Sequence, residues 1–274
     1  MTATRTTPIV AVDPRRQPDR LPPVLRVSVV IPVKDDAPLL RRCLGALEHQ
    51  SVAPAQIIVV DNGSTDDTAH VASAAGALLL RQTEPGIQAA SAAGYDAAVG
   101  DVIARLDADC VPASDWLETI VHAFAADPAL AAVTGGARFV DGPRRLRGLL
   151  PAAYLGAYYA VLTPTLGHVP LFGSNMAMRR DAWTAVSAHV HRHDREVHDD
   201  IDLAFHLGER HRIRFVRSLS VGISARPFES LSSFAVRIRR GFHSVILHWP
   251  EQFPPLRWAR RALLARGSRA HHRG

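Results

Sequence analysis

Two carboxylates, Asp107 and Asp109, stand two residues apart directly after the short apolar run 102–106. If the chain leaves the extended conformation there, both side chains can converge on one hard cation. Mg²⁺ and Mn²⁺ prefer oxygen ligands and commonly bridge protein carboxylates to substrate phosphates. Like charges placed this near a core are unfavourable without a counter-ion. The spacing therefore indicates a candidate metal site, and a solvated Asp-x-Asp turn is the alternative.

A second acidic group, Asp199, Asp200 and Asp202, stands at the start of a helix predicted over 201–208. A carboxylate within hydrogen-bond reach of a hydroxyl can accept its proton as a general base. Acids at the N-terminus of a helix are also stabilised by the helix dipole, which would give the group a structural role. The two interpretations are compatible, because a base can sit at a helix start.

Four histidines precede or join this acidic group at close spacing: His189, His191, His193 and His198. Imidazoles two residues apart on a loop can ligate zinc, but the sequence offers no further cluster to complete such a site. The two cysteines, Cys43 and Cys110, belong to no CxxC or Cys/His pattern, so neither a zinc site nor a disulfide framework is indicated.

Short apolar strands alternate with amphipathic helices from residue 26 onward. The strands are predicted over 27–31, 57–60, 77–80, 102–106 and 131–134, and the helices over 38–50, from 66, 88–99 and 114–125. Uniformly apolar strands in this alternation imply an α/β fold, with a mostly parallel sheet covered by helices on both faces. Ligands bind at the carboxyl ends of the strands in such sheets. Asp61, Asp107 and Asp109 all follow predicted strands and are expected at that edge.

The second half of the chain is less regular. The uncharged stretch from Gly148 to Gly167 is about as long as a bilayer-spanning helix. It contains Pro151 and Pro164 and is only modestly apolar, so a buried helix followed by a loop is favoured over a membrane element. A helix is predicted over 230–247, and a basic, frayed tail from Arg257.

Length and composition are those of one large globular domain. The chain has 274 residues, of which 47% are hydrophobic, and a formal net charge of +6. Lys34 is its only lysine, so the basicity is almost wholly arginine, and the surface favours anions. The expected division is a disordered lead over 1–25, a domain over 26–250 with halves 26–136 and 137–250, and a basic tail over 251–274.

The polar N-terminus lacks the apolar run of a signal peptide, and a reducing cytoplasm suits the cysteine usage. The tail places Leu256, Trp258, Leu263 and Leu264 among arginines. Such a basic amphipathic segment can rest on anionic lipid at the inner face of the cell membrane, and a solvated terminal helix is the alternative.

Five segments occur in the order seen in family 2 glycosyltransferases, which have the GT-A fold, and together they make the chain resemble that family. They are VSVVIPVKD at 27–35, IIVVDNGSTD at 57–66, GDVIARLDAD at 100–109, GSNMAMRR at 173–180 and DDIDL at 199–203. The resemblance runs from about Val27 to Arg240. Five motifs in order are far more specific than any one of them.

The resemblance implies an inverting, metal-dependent transfer of a sugar from a nucleotide-diphosphate donor to an acceptor hydroxyl. Mg²⁺ or Mn²⁺ would be the cofactor, and the acceptor a sugar, a lipid-linked sugar or a small molecule, with no nucleic acid partner. Cell-envelope, polysaccharide or glycolipid assembly is the expected setting.

The resemblance also assigns roles residue by residue. The donor side comprises Pro32, Val33, Lys34, Asp61 and Asp107, with Asp109 as the metal ligand; the acceptor side comprises Gly173, Ser174, Asn175 and Asp199, with Asp200 as the catalytic base. Asp61 would accept a hydrogen bond from the base of the nucleotide, which is reasonable for a carboxylate facing an imide N–H. A helix-capping turn at Asp61 and a tight turn at Gly173 are the structural alternatives.

The sequence departs from the family pattern in two places. The family's Ala-Arg-Asn-x-Gly reads Ala-Ser-Ala-Ala-Gly at 90–94, so its arginine and asparagine are missing, and Lys34 or Arg226 would have to substitute. The late metal-binding histidine of many relatives is replaced at Ser224-Ala225-Arg226.

These departures leave a catalytically impaired relative that acts as a binding protein as an alternative. A nucleotidyltransferase is another alternative. That class requires a glycine-rich, arginine-containing loop after the first strand, where this chain has Pro32-Val33-Lys34-Asp35. The GxGxxG and GxxxxGK[ST] patterns of dehydrogenases and P-loop enzymes are absent.

Overall fold

The computed structural model describes residues 25–141, 147–225 and 231–271, with side chains for all but 231–233 and 264–271 of these. The expected lead over 1–25 lies outside the described residues except for Leu25, and Arg226 lies outside them as well.

The centre of the molecule is a mixed sheet whose described strands lie in the order β3-β2-β1-β4-β7-β6-β8-β5. The strands are β1 (Val27–Val33), β2 (Gln56–Asp61), β3 (Leu78–Arg81), β4 (Val102–Arg105), β5 (Val111–Pro112), β6 (Leu130–Phe139), β7 (Met176–Arg179) and β8 (Arg212–Ile223). The first four run parallel to one another, and β6 and β8 share their direction. Only β7 and β5, among the strands described, run the opposite way.

Helices cover both faces of this sheet. They are α1 (Ala37–Glu48), α2 (Thr68–Ala74), α3 (Ile87–Asp96), α4 (Trp116–Ala125), α5 (Leu149–Leu166), α6 (Arg180–Val186), α7 (Asp199–Arg210), α8 (Leu231–Leu247) and α9 (Pro254–His271). One core lies under α1 and α4 and includes Leu40 and Trp116, and the other lies under α3, α6 and α7 and includes Trp183 and Phe205. Every residue of β1 is buried, as a strand covered on both faces requires. The α/β architecture with a mostly parallel sheet is therefore confirmed.

The uncharged stretch differs from the prediction of a buried helix followed by a loop. It is one continuous 18-residue helix, α5, which continues through Pro164 and ends at Gly167 with a left-handed φ of 71°. Only four of its residues are buried, and Leu149 and Val161 are more than 60% exposed. No helix in the described ranges combines the length and apolarity that crossing a membrane would need.

The expectation of a frayed tail from Arg257 is wrong at that residue. Arg257 is 1% exposed, and its guanidinium donates to the carbonyl oxygens of Leu166 and Phe205, at 2.7 and 2.8 Å. The sequence is basic here, but α9 packs against α5 and α7. Arg257 lies inside this group of three helices, which is called here the helical layer. The first turns of α9 are therefore part of the domain.

Candidate functional site

The carboxyl ends of β1 and β2 form the first wall of the candidate site. Val33 and Asp61 are paired in the parallel register, and Pro32 is paired with Val60. Pro32 and Val33 are buried, whereas Lys34 is exposed just beyond the strand. Asp61 is 7% exposed and its Oδ1 accepts the backbone N–H of Ser64 at 2.8 Å. Asp61 thus shapes the turn after β2 but does not cap α2, whose N-cap is Asp67. Its contact with the base stays a prediction.

The loops after β1 and β2 are tied to each other. Asp35 has a left-handed φ of 51°, and its Oδ1 accepts the backbone N–H of Thr65 at 2.7 Å. The backbone N–H of Asp35 in turn donates to Ser64 Oγ at 3.0 Å, and Asp66 accepts the N–H of Ala37 at 2.9 Å. An aspartate tolerates this backbone region better than most residues, and its side chain is held here by the bond to Thr65. The two strand ends are therefore held in a fixed relation.

Asp107 and Asp109 follow β4, which lies on the other side of β1. Both are partly buried. Asp107 Oδ1 accepts from Arg105 Nη2 at 2.9 Å, and Asp107 Oδ2 accepts from Ser174 Oγ at 2.5 Å. Asp107 is thereby bound to the Gly173–Asn175 loop.

The pKa values of the two cysteines are affected by the negative charge at this edge. Burial, followed by the carboxylates of Asp107 and Asp109, raises the pKa of Cys110 well above its usual value. Burial and the same two carboxylates raise the pKa of Cys43. Both thiols are therefore protonated at neutral pH and unsuited to nucleophilic chemistry. A site whose field disfavours a further negative charge is suited to a cation.

Arg105 is the functional residue that the sequence reasoning missed. It is 2% exposed, and its Nη1 lies 2.6 Å from Asp199 Oδ2 while its Nη2 contacts Asp107. Burial alone would lower the pKa of Arg105, but the neighbouring carboxylates, Asp199 first, raise it well above its usual value. A charged residue at the end of an otherwise apolar strand was the available signal.

Gly173 is required by this arginine. A Cβ at that position would lie 2.5 Å from Arg105 Nη1, closer than any side chain can approach. The backbone at Gly173 therefore approaches a guanidinium of the protein closely.

The start of α7 carries the two acids predicted for the acceptor side. Asp199 accepts from Ser91 Oγ at 3.0 Å in addition to Arg105. Ser91 belongs to the α3 segment in which the family pattern has its arginine and asparagine, so this helix still contacts the site, through a hydroxyl. Asp200 is 8% exposed, and its Oδ2 accepts the backbone N–H of Gly173 at 2.9 Å. Its Oδ1 accepts the N–H of Ile201 at 2.8 Å.

Asn175 and Asp202 do not join these residues. The Asn175 side chain is fully buried, accepts from Trp116 Nε1 and donates to two backbone carbonyls, so it holds the loop in place. Asp202 instead contacts three histidines, His191, His206 and His248. The structure thus brings together an acidic edge, defined here as Asp61, Asp107, Asp109, Asp199 and Asp200.

Comparison with known proteins bears on the family and the fold of this chain. A profile described as "Glycosyl transferase family 2" matches residues 28–185. Solved structures of glucosyl-3-phosphoglycerate synthase from Mycobacterium tuberculosis share the fold. The complex with UDP has a TM-score of 0.58 at 20% identity, covering 81% of this chain and 79% of that one. The complex with Mn²⁺, UDP and glucosyl-3-phosphoglycerate has a TM-score of 0.53 at 21% identity, covering 79% and 80%. The expected GT-A fold is confirmed.

Curated relatives match over shorter segments. Glycosyltransferase AglE of Haloferax volcanii is 35% identical over 100 residues, which are 34% of this chain and 33% of that protein. An undecaprenyl-phosphate 4-deoxy-4-formamido-L-arabinose transferase of Serratia proteamaculans is 37% identical over 101 residues, 33% and 31% of the two chains. The matched segment is thus about a third of the length of these two relatives.

Proposed function

Because this chain belongs to glycosyltransferase family 2, we propose that it transfers a sugar from a nucleotide-diphosphate donor to an acceptor hydroxyl, with inversion at the anomeric carbon. The observation that carries the proposal is the pair of salt bridges made by Arg105. One joins it to Asp107 and the other to Asp199, so the predicted donor and acceptor sides meet at a single guanidinium.

The donor lies, in this proposal, across the carboxyl ends of β1, β2 and β4. Asp61 and the segment Pro32–Lys34 contact the nucleoside, and Asp107 faces the ribose. UDP-sugars are the first donors to test, since fold neighbours of this chain were solved with UDP and Mn²⁺. Lys34 is exposed beside this surface and offers a cation to the diphosphate.

A divalent cation suits the oxygen ligands and the negative field at the end of β4. Asp109 would hold Mg²⁺ or Mn²⁺, with Asp107 beside it. When bound, such a cation neutralises negative charge on the departing nucleotide diphosphate. Burial first, and then the negative charge of Asp107 and Asp109, raises the pKa of both neighbouring thiols.

Asp200 acts as the base in this proposal. The acceptor hydroxyl must lose its proton as its bond to the anomeric carbon forms, so a carboxylate within hydrogen-bond reach is needed. The hydrogen bonds from Gly173 and Ile201 fix the orientation of the Asp200 carboxylate. Asp199 is bound by Arg105 and Ser91, which gives it a positioning role.

The acceptor is proposed to be a sugar, a lipid-linked sugar or a phosphorylated small molecule in cell-envelope or glycolipid assembly, at the cytoplasmic face of the membrane. Exposed apolar side chains on α9 and just before it, among them Phe253, Leu256, Trp258 and Leu263, support contact with anionic lipid. Flotation with anionic liposomes at low salt tests this contact, and a protein that stays at the bottom of the gradient contradicts it.

The test of the proposed function is a thermal-shift screen of UDP-, GDP- and dTDP-sugars, with and without Mn²⁺, followed by an assay of donor hydrolysis. Binding to the folded state raises the apparent Tm by mass action. We expect one nucleotide to raise the Tm only when Mn²⁺ is present, and that donor to be turned over. Metal-dependent binding without any turnover would instead favour the impaired relative that acts as a binding protein.

A further inference from the structure

A second cluster of ligating side chains lies away from the acidic edge, between α7 and the end of α8. It consists of His191, Asp202, His206 and His248, and is called here the histidine cluster. One ligating atom of each lies within 4.8 Å of the others. His191 belongs to the loop before α7, Asp202 and His206 stand four residues apart on α7, and His248 directly follows α8. Three separate segments of the chain therefore converge at one point.

The distances within the histidine cluster resemble those of a tetrahedral metal site. Asp202 Oδ1 lies 3.2 Å from His248 Nε2, 3.4 Å from His206 Nε2 and 2.7 Å from His191 Nδ1. Ligands bound tetrahedrally to zinc at about 2.0–2.1 Å are separated by about 3.3–3.4 Å. Two of the three distances match that separation, and the third is a hydrogen bond that would lengthen by about 0.6 Å on metal binding.

The orientation of His248 places its Nε2 against the Asp202 carboxylate. Its Nδ1 lies 2.7 Å from the carbonyl oxygen of Ser244, which can only accept, so Nδ1 carries a proton. In the neutral imidazole Nε2 then bears a lone pair, and it faces the Asp202 carboxylate at 3.2 Å. His248 and Asp202 side chains are both 3% exposed. A buried lone pair opposite a buried carboxylate is repulsive unless a cation or a second proton lies between them.

Hydrogen bonding within the described part of the chain leaves one nitrogen of His248 and one of His206 unsatisfied. Among the described residues, Nε2 of His248 and Nε2 of His206 are buried without a hydrogen-bond partner. His191 fixes the carboxylate from the other side, because its backbone N–H donates to Asp202 Oδ2 at 2.8 Å and leaves Oδ1 facing the imidazoles. The Ser244 carbonyl orients His248 in the way that outer-shell acceptors orient metal-bound histidines.

We propose that His191, Asp202, His206 and His248 bind one Zn²⁺ ion as a structural site. Three imidazoles and one carboxylate are a ligand set that suits zinc and is poor for Mg²⁺ or Mn²⁺, which prefer oxygen. Four protein ligands leave no open position, which is typical of structural rather than catalytic zinc.

Zinc bound there fastens the loop before α7 and the end of α8 onto α7. The first turn of α7 carries Asp199 and Asp200, so the ion would hold these acids in place without contacting the substrate. The site is separate from the predicted metal ligand Asp109 and does not depend on the proposed function.

The test is metal analysis of the full chain produced without a histidine tag, loaded with Zn²⁺ and desalted. We expect about one equivalent of zinc per chain by mass spectrometry of the metal, as a closed four-ligand site requires. Co²⁺ in place of Zn²⁺ should give the intense visible absorption of tetrahedral cobalt. A wild-type protein that retains no zinc, or cobalt that shows only octahedral absorption, overturns the proposal.

Variants locate the ion. His206→Gln should weaken zinc binding by more than the about 10–100-fold typical of outer-shell changes. His191→Gln, at a half-exposed position, serves if that variant does not fold. His193→Gln is the matched control, because His193 lies in the same loop, is 74% exposed and contacts Glu84 instead. Zinc retained by both cluster variants, or lost in Asp109→Ala, contradicts the assignment.

Discussion

Two buried arginines, Arg105 and Arg257, lie in different electrostatic environments in two regions of this protein, the acidic edge and the helical layer. Arg105 lies at the acidic edge between two carboxylates, and their charges, Asp199 first, raise its pKa although burial opposes this. Arg257 lies in the helical layer, where burial lowers its pKa to about 10. Its partners there include the carbonyl oxygens of Leu166 and Phe205 and the imidazole of His168.

The two arginines also differ in their structural roles. At the acidic edge the guanidinium balances carboxylates that are needed at the surface of the site. In the helical layer it satisfies backbone acceptors and joins helices that would otherwise expose them. Substitutions at the edge should therefore change ligand binding and catalysis, and substitutions in the helical layer should change stability and leave donor affinity intact.

The largest effect is expected at the edge, from Asp109→Ala. Removing the proposed metal ligand should abolish Mn²⁺-dependent nucleotide binding and sugar transfer. Chelation of the wild type should have the same effect, and added Mg²⁺ or Mn²⁺ should restore transfer. Titration calorimetry with UDP and Mn²⁺ measures the loss, with Asp115→Ala, an exposed acid at the start of α4, as the control. Full activity in excess EDTA would refute the role of Asp109.

Asp200→Asn should come next. The amide preserves the shape of the side chain but cannot accept the proton, so kcat should fall by the about 10²–10⁴-fold that a general base contributes. Donor and metal affinity should be unchanged. Steady-state kinetics on both substrates separates the two parameters.

Asp202→Asn should cost less activity than Asp200→Asn, because Asp202 belongs to the histidine cluster and acts on the first turn of α7 only through positioning. Wild-type transfer by Asp200→Asn together with an inactive Asp199→Asn would shift the base by one residue. If Asp199→Asn and Asp200→Asn are both active, the general base does not lie on α7.

The fold and the positions of the carboxylates at the strand ends were predictable because their signals are local. Each strand from β1 to β4 is a short apolar run, and Asp61, Asp107 and Asp109 follow such runs directly. The carboxyl ends of neighbouring parallel strands lie at the same edge of the sheet, whatever conformation the loops adopt. Strands β5, β7 and β8 were not predicted; β5 has two residues, β7 has four, and β8 carries Arg212, Arg214 and Arg217 among half-buried side chains.

The remaining contacts were not predictable because they join distant positions. Arg105 and Asp199 are 94 residues apart, and Arg257 and His168 are 89 apart. The histidines between 189 and 198 suggested a metal site, but only His191 among them belongs to the histidine cluster. Asp202 and His206, four residues apart on a predicted helix, were the pair that could have shown which face to consider.

A direct comparison of Arg105→Met with Arg257→Met is the third prediction. Arg105→Met leaves two partly buried carboxylates, Asp107 and Asp199, without their counter-ion, and breaking a buried pair in this way typically costs about 3–5 kcal/mol. We expect transfer to be lost as well. Arg257→Met leaves neutral acceptors unsatisfied, at about 1–3 kcal/mol each, and should keep donor affinity.

Urea unfolding and nucleotide titration of both variants decide the matter. Equal losses of donor affinity in the two variants would contradict the division between edge and helical layer.

The smallest expected effect is a pH dependence of stability due to His168. Its Nδ1 lies 2.9 Å from the carbonyl oxygen of Val169, and Arg257 donates to its Nε2 at 3.0 Å, so the imidazole must be neutral. Burial lowers its pKa to about 3. In the unfolded chain the same group titrates near about 6.5 and takes up a proton that the folded state excludes. Stability is therefore fully present above about 6.5 and falls as the pH drops below that value.

Between pH 7 and pH 5 this single group should lower the free energy of unfolding by about 2 kcal/mol. Other groups titrate in that range, so the measurement is a difference. Urea unfolding of the wild type and of His168→Gln at both pH values isolates the contribution, since glutamine can donate and accept but does not titrate. The wild type should lose about 2 kcal/mol more than the variant. Parallel losses would mean that His168 is protonated in the folded protein, and Arg257 could then not donate to it.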